Sequence, residues 1–161
     1  MRAMHKFALI GAAMLAMAAP ARAEAPNDPL EAMFTWWDQA FKTPGAYTQE
    51  AFERFFTDDA TLTLNGKVAI RGTAEWAKHF QAIQGRGGIV EIVVPFNHAF
   101  RSGDMLYTYH IIRSRRNEGL PMCMLAAGHA VMRGDKIASI TLVRHPLDPA
   151  KGETDPACWT K

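Results

Sequence analysis

"ATLTLNGKVAIRGTAEWAKHF", residues 60–80, is the stretch on which the fold turns. Leu62 and Leu64 alternate with threonines before Asn65-Gly66, and Val68 and Ile70 alternate with other residues after it. Period-two alternation about an Asn-Gly pair predicts a two-residue hairpin, because both turn positions need positive φ. After Gly72 the period changes. Trp76, Phe80 and Ile83 fall three and four residues apart, on one face of a helix, with Thr73 as its expected N-cap. A hairpin that runs straight into a helix places both elements on one core.

Working toward the N-terminus, Leu30, Met33, Phe34, Trp37 and Phe41 have helical spacing and predict a helix over 29–42, with Asp28 as N-cap and Pro29 at the first position. A second helix is predicted from Thr48, with an apolar stripe of Ala51, Phe52, Phe55 and Phe56, closed by Asp58-Asp59. Toward the C-terminus, four strands are predicted at 89–101, 105–116, 122–133 and 136–144, joined by turns rich in Gly, Asn, Ser and Asp. The order α-α-β-β-α-β-β-β-β is that of an α+β domain. Its sheet is mixed but mostly antiparallel. Strands of about a dozen residues exceed the usual length, so the sheet is expected to curve into a cone wrapped around three helices. The mouth of such a cone is a common place for a small-molecule pocket.

The two ends of the chain read differently. Arg2 and Lys6 precede an apolar run over 7–19, Pro20 breaks it, and Ala21-Arg22-Ala23 has the small-x-small form of a cleavage site. We read 1–23 as a cleaved signal peptide, 24–148 as the domain and 149–161 as a C-terminal tail. The apolar run is too short to span a membrane comfortably, so no stable membrane anchor is expected after cleavage, and the product is periplasmic or secreted. The whole chain has 161 residues and a net charge of +2. The leader holds three of its 18 basic residues and none of its 16 acidic ones, which leaves 15 against 16 in the mature part. A near-neutral domain lacks the electrostatic footprint of a nucleic-acid binder. The basic cluster at 113–116 reads as a solvated hairpin end. Two cysteines, Cys123 and Cys158, enter an oxidising compartment, where a disulfide is allowed and would tie the tail to a strand. The spacing does not decide whether they pair, and Cys123 between two methionines also suits simple packing.

The segments "WWDQAF", "FFTDDATLTLNG", "IRGTAEWAKHF" and "GDKIASITLVRHPLD" together resemble the nuclear transport factor 2-like superfamily (NTF2-like, a cystatin-like α+β barrel), in its SnoaL-like and ketosteroid isomerase-like branch. The resemblance runs over nearly the whole mature domain and implies the cone fold. It also implies where catalytic groups would sit, and the pattern departs there. The isomerases' tyrosine on the first helix corresponds to Trp37, their base aspartate to Leu64, and their second donor to His129. Without the base carboxylate, proton abstraction by that route is not expected. The limonene epoxide hydrolases' Arg-Asp pair on the last strand corresponds to Arg144-His145, again without the carboxylate. The scytalone dehydratase branch, with histidines in its cone, is closest in residue type.

The strand candidates carry four histidines: His98, His110, His129 and His145. In a single strand over 89–101, His98 shares a face with Val90, Ile92, Val94, Phe96 and Phe100, which predicts that it turns inward. Histidine titrates near neutral pH and suits general acid–base work. The expected catalytic set is therefore His98 and His129 first, then His110 and His145, with Asp38 to orient a ring. Trp37, Trp76, Phe96, Tyr107 and Tyr109 are the expected ligand-binding aromatics, suited to a small apolar or cyclic molecule. No metal site and no cofactor is expected, because no His-x-His pair or closely spaced carboxylate accompanies the histidines. Nucleophile elbow, P-loop and dinucleotide motifs are missing. Cofactor-free chemistry of the lyase or isomerase kind is one expectation, and a non-catalytic binding or interaction module is the other. Apolar residues on both parities of the late strands also suit a homodimer formed through the sheet.

Overall fold

Asp28 opens the first helix as the sequence predicts, its Oδ1 accepting from the Leu30 amide at 2.8 Å, with Pro29 at the first position. The computed structural model describes residues 28–115 and 121–158. The expected signal peptide, Arg116 of the basic cluster and the end of the tail lie outside the described residues. Helix α1 spans Pro29–Phe41, α2 Gln49–Glu53 and α3 Thr73–Gly85. The strands are β1 (Phe56–Leu64), β2 (Lys67–Arg71), β3 (Ile89–Ile92), β4 (His98–Ser102), β5 (Met105–Arg115), β6 (Met122–Arg133) and β7 (Lys136–Pro146). They form one curled sheet in the order β2-β1-β7-β6-β5-β3, with β4 also pairing with β5. The β1–β7 pair is parallel and the others are antiparallel. The half-barrel closes on the three helices, as expected.

The hairpin at residues 60–71 forms as read. Leu64 stands opposite Lys67, and Asn65 and Gly66 take φ of 49° and 82°. Three boundaries differ from the prediction. Residues 56–59 belong to β1, not to the second helix. Helix α2 buries only Phe52, whereas in the sheet Phe56 is fully buried opposite Ile137 of β7. The N-cap of α3 is Gly72, not Thr73. Gly72 holds φ 80°, and an added Cβ would stand 3.1 Å from the Asp58 carbonyl oxygen. Thr73 is buried as the first helical residue, and Glu75 reaches back to the Arg71 amide at 2.8 Å.

The third difference has the largest consequence. The strand expected over 89–101 is broken into β3 and β4. Ile92 stands opposite Ile112, and His98 opposite Tyr109. Six residues advance on one side against three on the other, so three are inserted. An odd insertion turns every later side chain to the opposite face. Pro95, joined to Val94 by a cis peptide bond, sits in the interruption and has no N–H to give a ladder. Phe96 turns into the core, while His98 and Phe100 turn out to solvent.

An aromatic cluster packs between the helices and the sheet. Trp37 lies 4.0 Å from Phe80 between ring centroids, and Trp76 lies 4.6 Å from Phe56. Helix α1 also shields the free edge of β3. Val93 donates to Ile111 of β5, so the alternate groups of β3 face away from the sheet. Trp37 Nε1 donates to one of them, the Val90 carbonyl, at 2.8 Å. An edge covered in this way offers no template for a foreign strand. Beyond β7 the chain turns back over the outer face. Cys158 is disulfide-bonded to Cys123 with Cα atoms 5.6 Å apart, and with Ile111 they form a small second core. Closing a loop of 35 residues is worth about 3–4 kcal/mol in the chain-entropy account.

Candidate functional site

Strands β5, β6 and β7 set the site, because each presents alternate residues to the helices and to solvent. The inward residues of β5 are Leu106, Thr108, His110 and Ile112, all buried. Opposite them on β6 stand Ala130, Gly128, Ala126 and Met124. On β7 the matching residues are Ile140, Leu142, Arg144 and Pro146. His110, at 1 % exposure, is the one strand histidine that this register turns inward.

Around His110 the cone is apolar. Its ring centroid lies 5.4 Å from that of Phe96 and 6.3 Å from that of Phe34. Nδ1 is 3.2 Å from the Thr108 hydroxyl, and Nε2 is buried without a hydrogen-bond partner. Burial pushes the imidazole down to about 4, so the ring is neutral at neutral pH. A neutral imidazole offers one donor and one acceptor. With Thr108 on one nitrogen, the other is left buried without a partner.

Asp38 lies elsewhere, on α1 beside the β3 edge. It is half-buried, and its Oδ1 has no partner. Burial and the nearby Glu91 lift its carboxyl to about 7, while the Ile92 backbone amide opposes the rise. Its charged neighbours are Glu91, Lys42 and Arg113, and burial alone shifts His110. Asp38 therefore does not orient the histidine ring as expected. It belongs to the cover over the β3 edge, where Arg113 and Glu91 form an ion pair at 3.8 Å.

The other expected site residues are scattered. His98 lies on the outer face, exposed, beside Tyr109 at 5.9 Å between centroids. His129 is also on the outer face, 5.7 Å from Tyr107, so the position matched to a family donor points away from the cone. His145 is exposed and lies 3.2 Å from Glu153 of the tail. Tyr107 and Tyr109 stand outside because His110, their neighbour in sequence, stands inside. Trp37 and Trp76 are core residues with 3 % and 2 % exposure. Of the expected ligand-binding aromatics, only Phe96 touches His110. The sequence reading missed Thr108 as a partner of His110 and Arg144 as the residue in register with it across β6. Strand parity was the available signal, since both share it with His110 through the ladder.

Two depressions lie outside the cone. One, of about 550 Å³, runs along Ile89, Glu91, Arg113 and Arg115 to Cys158. The other, of about 450 Å³, lies between β2 and α3 beside His79, which is exposed. Among the described residues, no three His, Cys, Asp or Glu side chains cluster as a metal site would require.

No protein-family model and no curated protein matches the chain. Solved structures do. An epoxide hydrolase of M. tuberculosis, described as LEH-like, aligns with a TM-score of 0.58 at 16% identity, over 73% of this chain and 80% of its own. An NTF2-like protein of unknown function from Exiguobacterium aligns with a TM-score of 0.57 at 18% identity, over 73% of this chain and 98% of its own. A putative SnoaL-like polyketide cyclase from Shewanella denitrificans aligns with a TM-score of 0.54 at 10% identity, over 73% and 92%. The fold is thus that of the nuclear transport factor 2-like, SnoaL-like and ketosteroid isomerase-like proteins, as the sequence resemblance implied.

Proposed function

We propose that this chain is an exported cone-fold domain that binds a small, mostly apolar, cyclic molecule against His110. One observation carries the reading: a fully buried histidine, flanked by Phe34 and Phe96, keeps a ring nitrogen without a partner. A buried polar atom left unpaired costs roughly 1–3 kcal/mol, and a ligand that pairs with it recovers that cost. The solved structures of this fold include proteins described as an epoxide hydrolase and a polyketide cyclase, which supports small molecules as the ligand class. If turnover accompanies binding, His110 is the group placed to give or take a proton, without a cofactor. The test is a shift of the His110 ring resonances when cyclic compounds are added to the purified protein. Saturable shifts for at least one apolar ring support the reading, and a silent His110 across a broad panel overturns it in favour of a non-catalytic interaction module.

The leader over 1–23 and the Cys123–Cys158 disulfide support export to an oxidising compartment. N-terminal sequencing of the exported protein is expected to begin at Glu24. A second copy is the proposed partner for the open half of the outer face, where Phe100 and Val143 are 63% and 61% exposed. Size-exclusion chromatography is expected to give a dimer, and a clean monomer sinks that part.

A further inference from the structure

The row His110–Ala126–Arg144 crosses β5, β6 and β7 at one level. Residues opposite each other in an antiparallel ladder share a face. His110 and Ala126 are both buried in the core, so the Arg144 side chain leaves its strand on the concave side as well. Arg144 Nε is buried and has no hydrogen-bond partner, and neither has His110 Nε2. A guanidinium is donor-only and cannot shed its proton to escape the cost. Two unpaired nitrogens in one row call for an acceptor between them. The backbones of β5 and β7 are two strand spacings apart, about 10 Å. The curl of the sheet draws inward side chains together, and Ala126 puts only a methyl group between them.

Resting on the cone-binding reading above, we propose that His110 and Arg144 are the recognition pair for a carboxylate, so that the bound molecule is a small cyclic acid. One carboxylate oxygen accepts from Arg144 Nε and the other from His110 Nε2. In this arrangement Nδ1 takes the acceptor role toward the Thr108 hydroxyl, 3.2 Å away, and the ring hydrogen sits on Nε2. The imidazole is then a neutral donor, and Arg144 supplies the charge. Hydrogen bonds to an ionised partner are about twice as strong as neutral ones. The ring of the acid packs against Phe34 and Phe96. Phe96 sits on the interruption between β3 and β4, and its amide donates to Glu31 Oε1 at 3.4 Å.

Isothermal titration with 2-naphthoate and with 2-naphthalenemethanol separates this inference from the reading beneath it. At pH 7.5 the acid is expected to bind at least tenfold more tightly than the alcohol. Arg144→Met is expected to abolish that preference through at least a tenfold loss of the acid's affinity, with a cooperative thermal melt showing that the variant is folded. If both compounds bind equally well, or if Arg144→Met keeps the preference, the carboxylate pair is overturned and the cone-binding reading stands. If neither compound binds the wild type, both fall.

Discussion

Tyr109 and His110 are neighbours in the chain and occupy different surroundings. His110 lies at 1 % exposure among phenylalanines, and Tyr109 at 37 % on the outer face, beside His98. The same contrast runs along the whole of β5–β7. Inside stand Thr108 and Ala126, both buried, with the half-buried Arg144 in register with Ala126. Outside stand Tyr107, His129 and Val143, with Phe100 stacked on Tyr107 at 4.7 Å. Both faces hold aromatics and histidines, so composition does not tell them apart. Burial does, because it decides which ring loses water and must find another partner.

The sharpest way to break the contrast is to truncate one aromatic on each side. Trp37→Ala is expected to cost about 3–5 kcal/mol, through the cavity it leaves and the loss of its bond to Val90. Phe100→Ala is expected to stay within about 1 kcal/mol in the monomer. Urea denaturation measures both, and equal losses would mean that the outer face is a second core. Next in size is the tail. Cys158→Ser is expected to lower stability by about 3 kcal/mol, and a reductant should lower the wild type to match. A variant that melts like the wild type would show that the latch adds nothing to the fold.

The pH dependence of stability sharpens the contrast further, since the two groups shifted by burial, Asp38 and His110, oppose each other. Burial raises Asp38 from 3.8 to about 7, so its contribution is full below about pH 4 and is lost as pH rises through 7. Burial lowers His110 from 6.5 to about 4, so its contribution is full above pH 6.5 and is lost as pH falls through 4. Relative to the wild type, Asp38→Asn is expected to gain stability as pH rises from 4 to 8. His110→Phe is expected to gain it as pH falls from 7 to 4. The His110 effect should be about 3 kcal/mol, and the Asp38 effect, discounted for its partial solvation, about 1–2 kcal/mol. Thermal melts across that range measure both, and parallel profiles for the two variants would contradict the assigned surroundings. The smallest effect belongs outside. His98→Ala is expected within about 0.5 kcal/mol of the wild type at every pH, and a larger loss would return His98 to the core.

Much of the architecture was legible along the chain. The Asn65-Gly66 hairpin, the Asp28 cap and the helical stripe from Leu30 to Phe41 are local, and local chemistry suffices to form them. The candidate site was less legible, because it depends on which side of the sheet a residue faces. Parity in β5 already separates His110 from Tyr107 and Tyr109, and that signal was readable. The outward turn of His98 was not readable in the same way. It follows from three residues inserted opposite β5, which only the pairing of the strands reveals.

The sequence by itself determined the fold class, the element order and the spacing of apolar residues that drives the core together, because these rest on interactions between residues close in the chain. The tertiary structure alone decided that Cys123 meets Cys158, that Asp38 guards a strand edge, and that His110 and Arg144 share a concave row. Those pairings join residues distant in the chain, and the register of a curled, bulged sheet has no local signature.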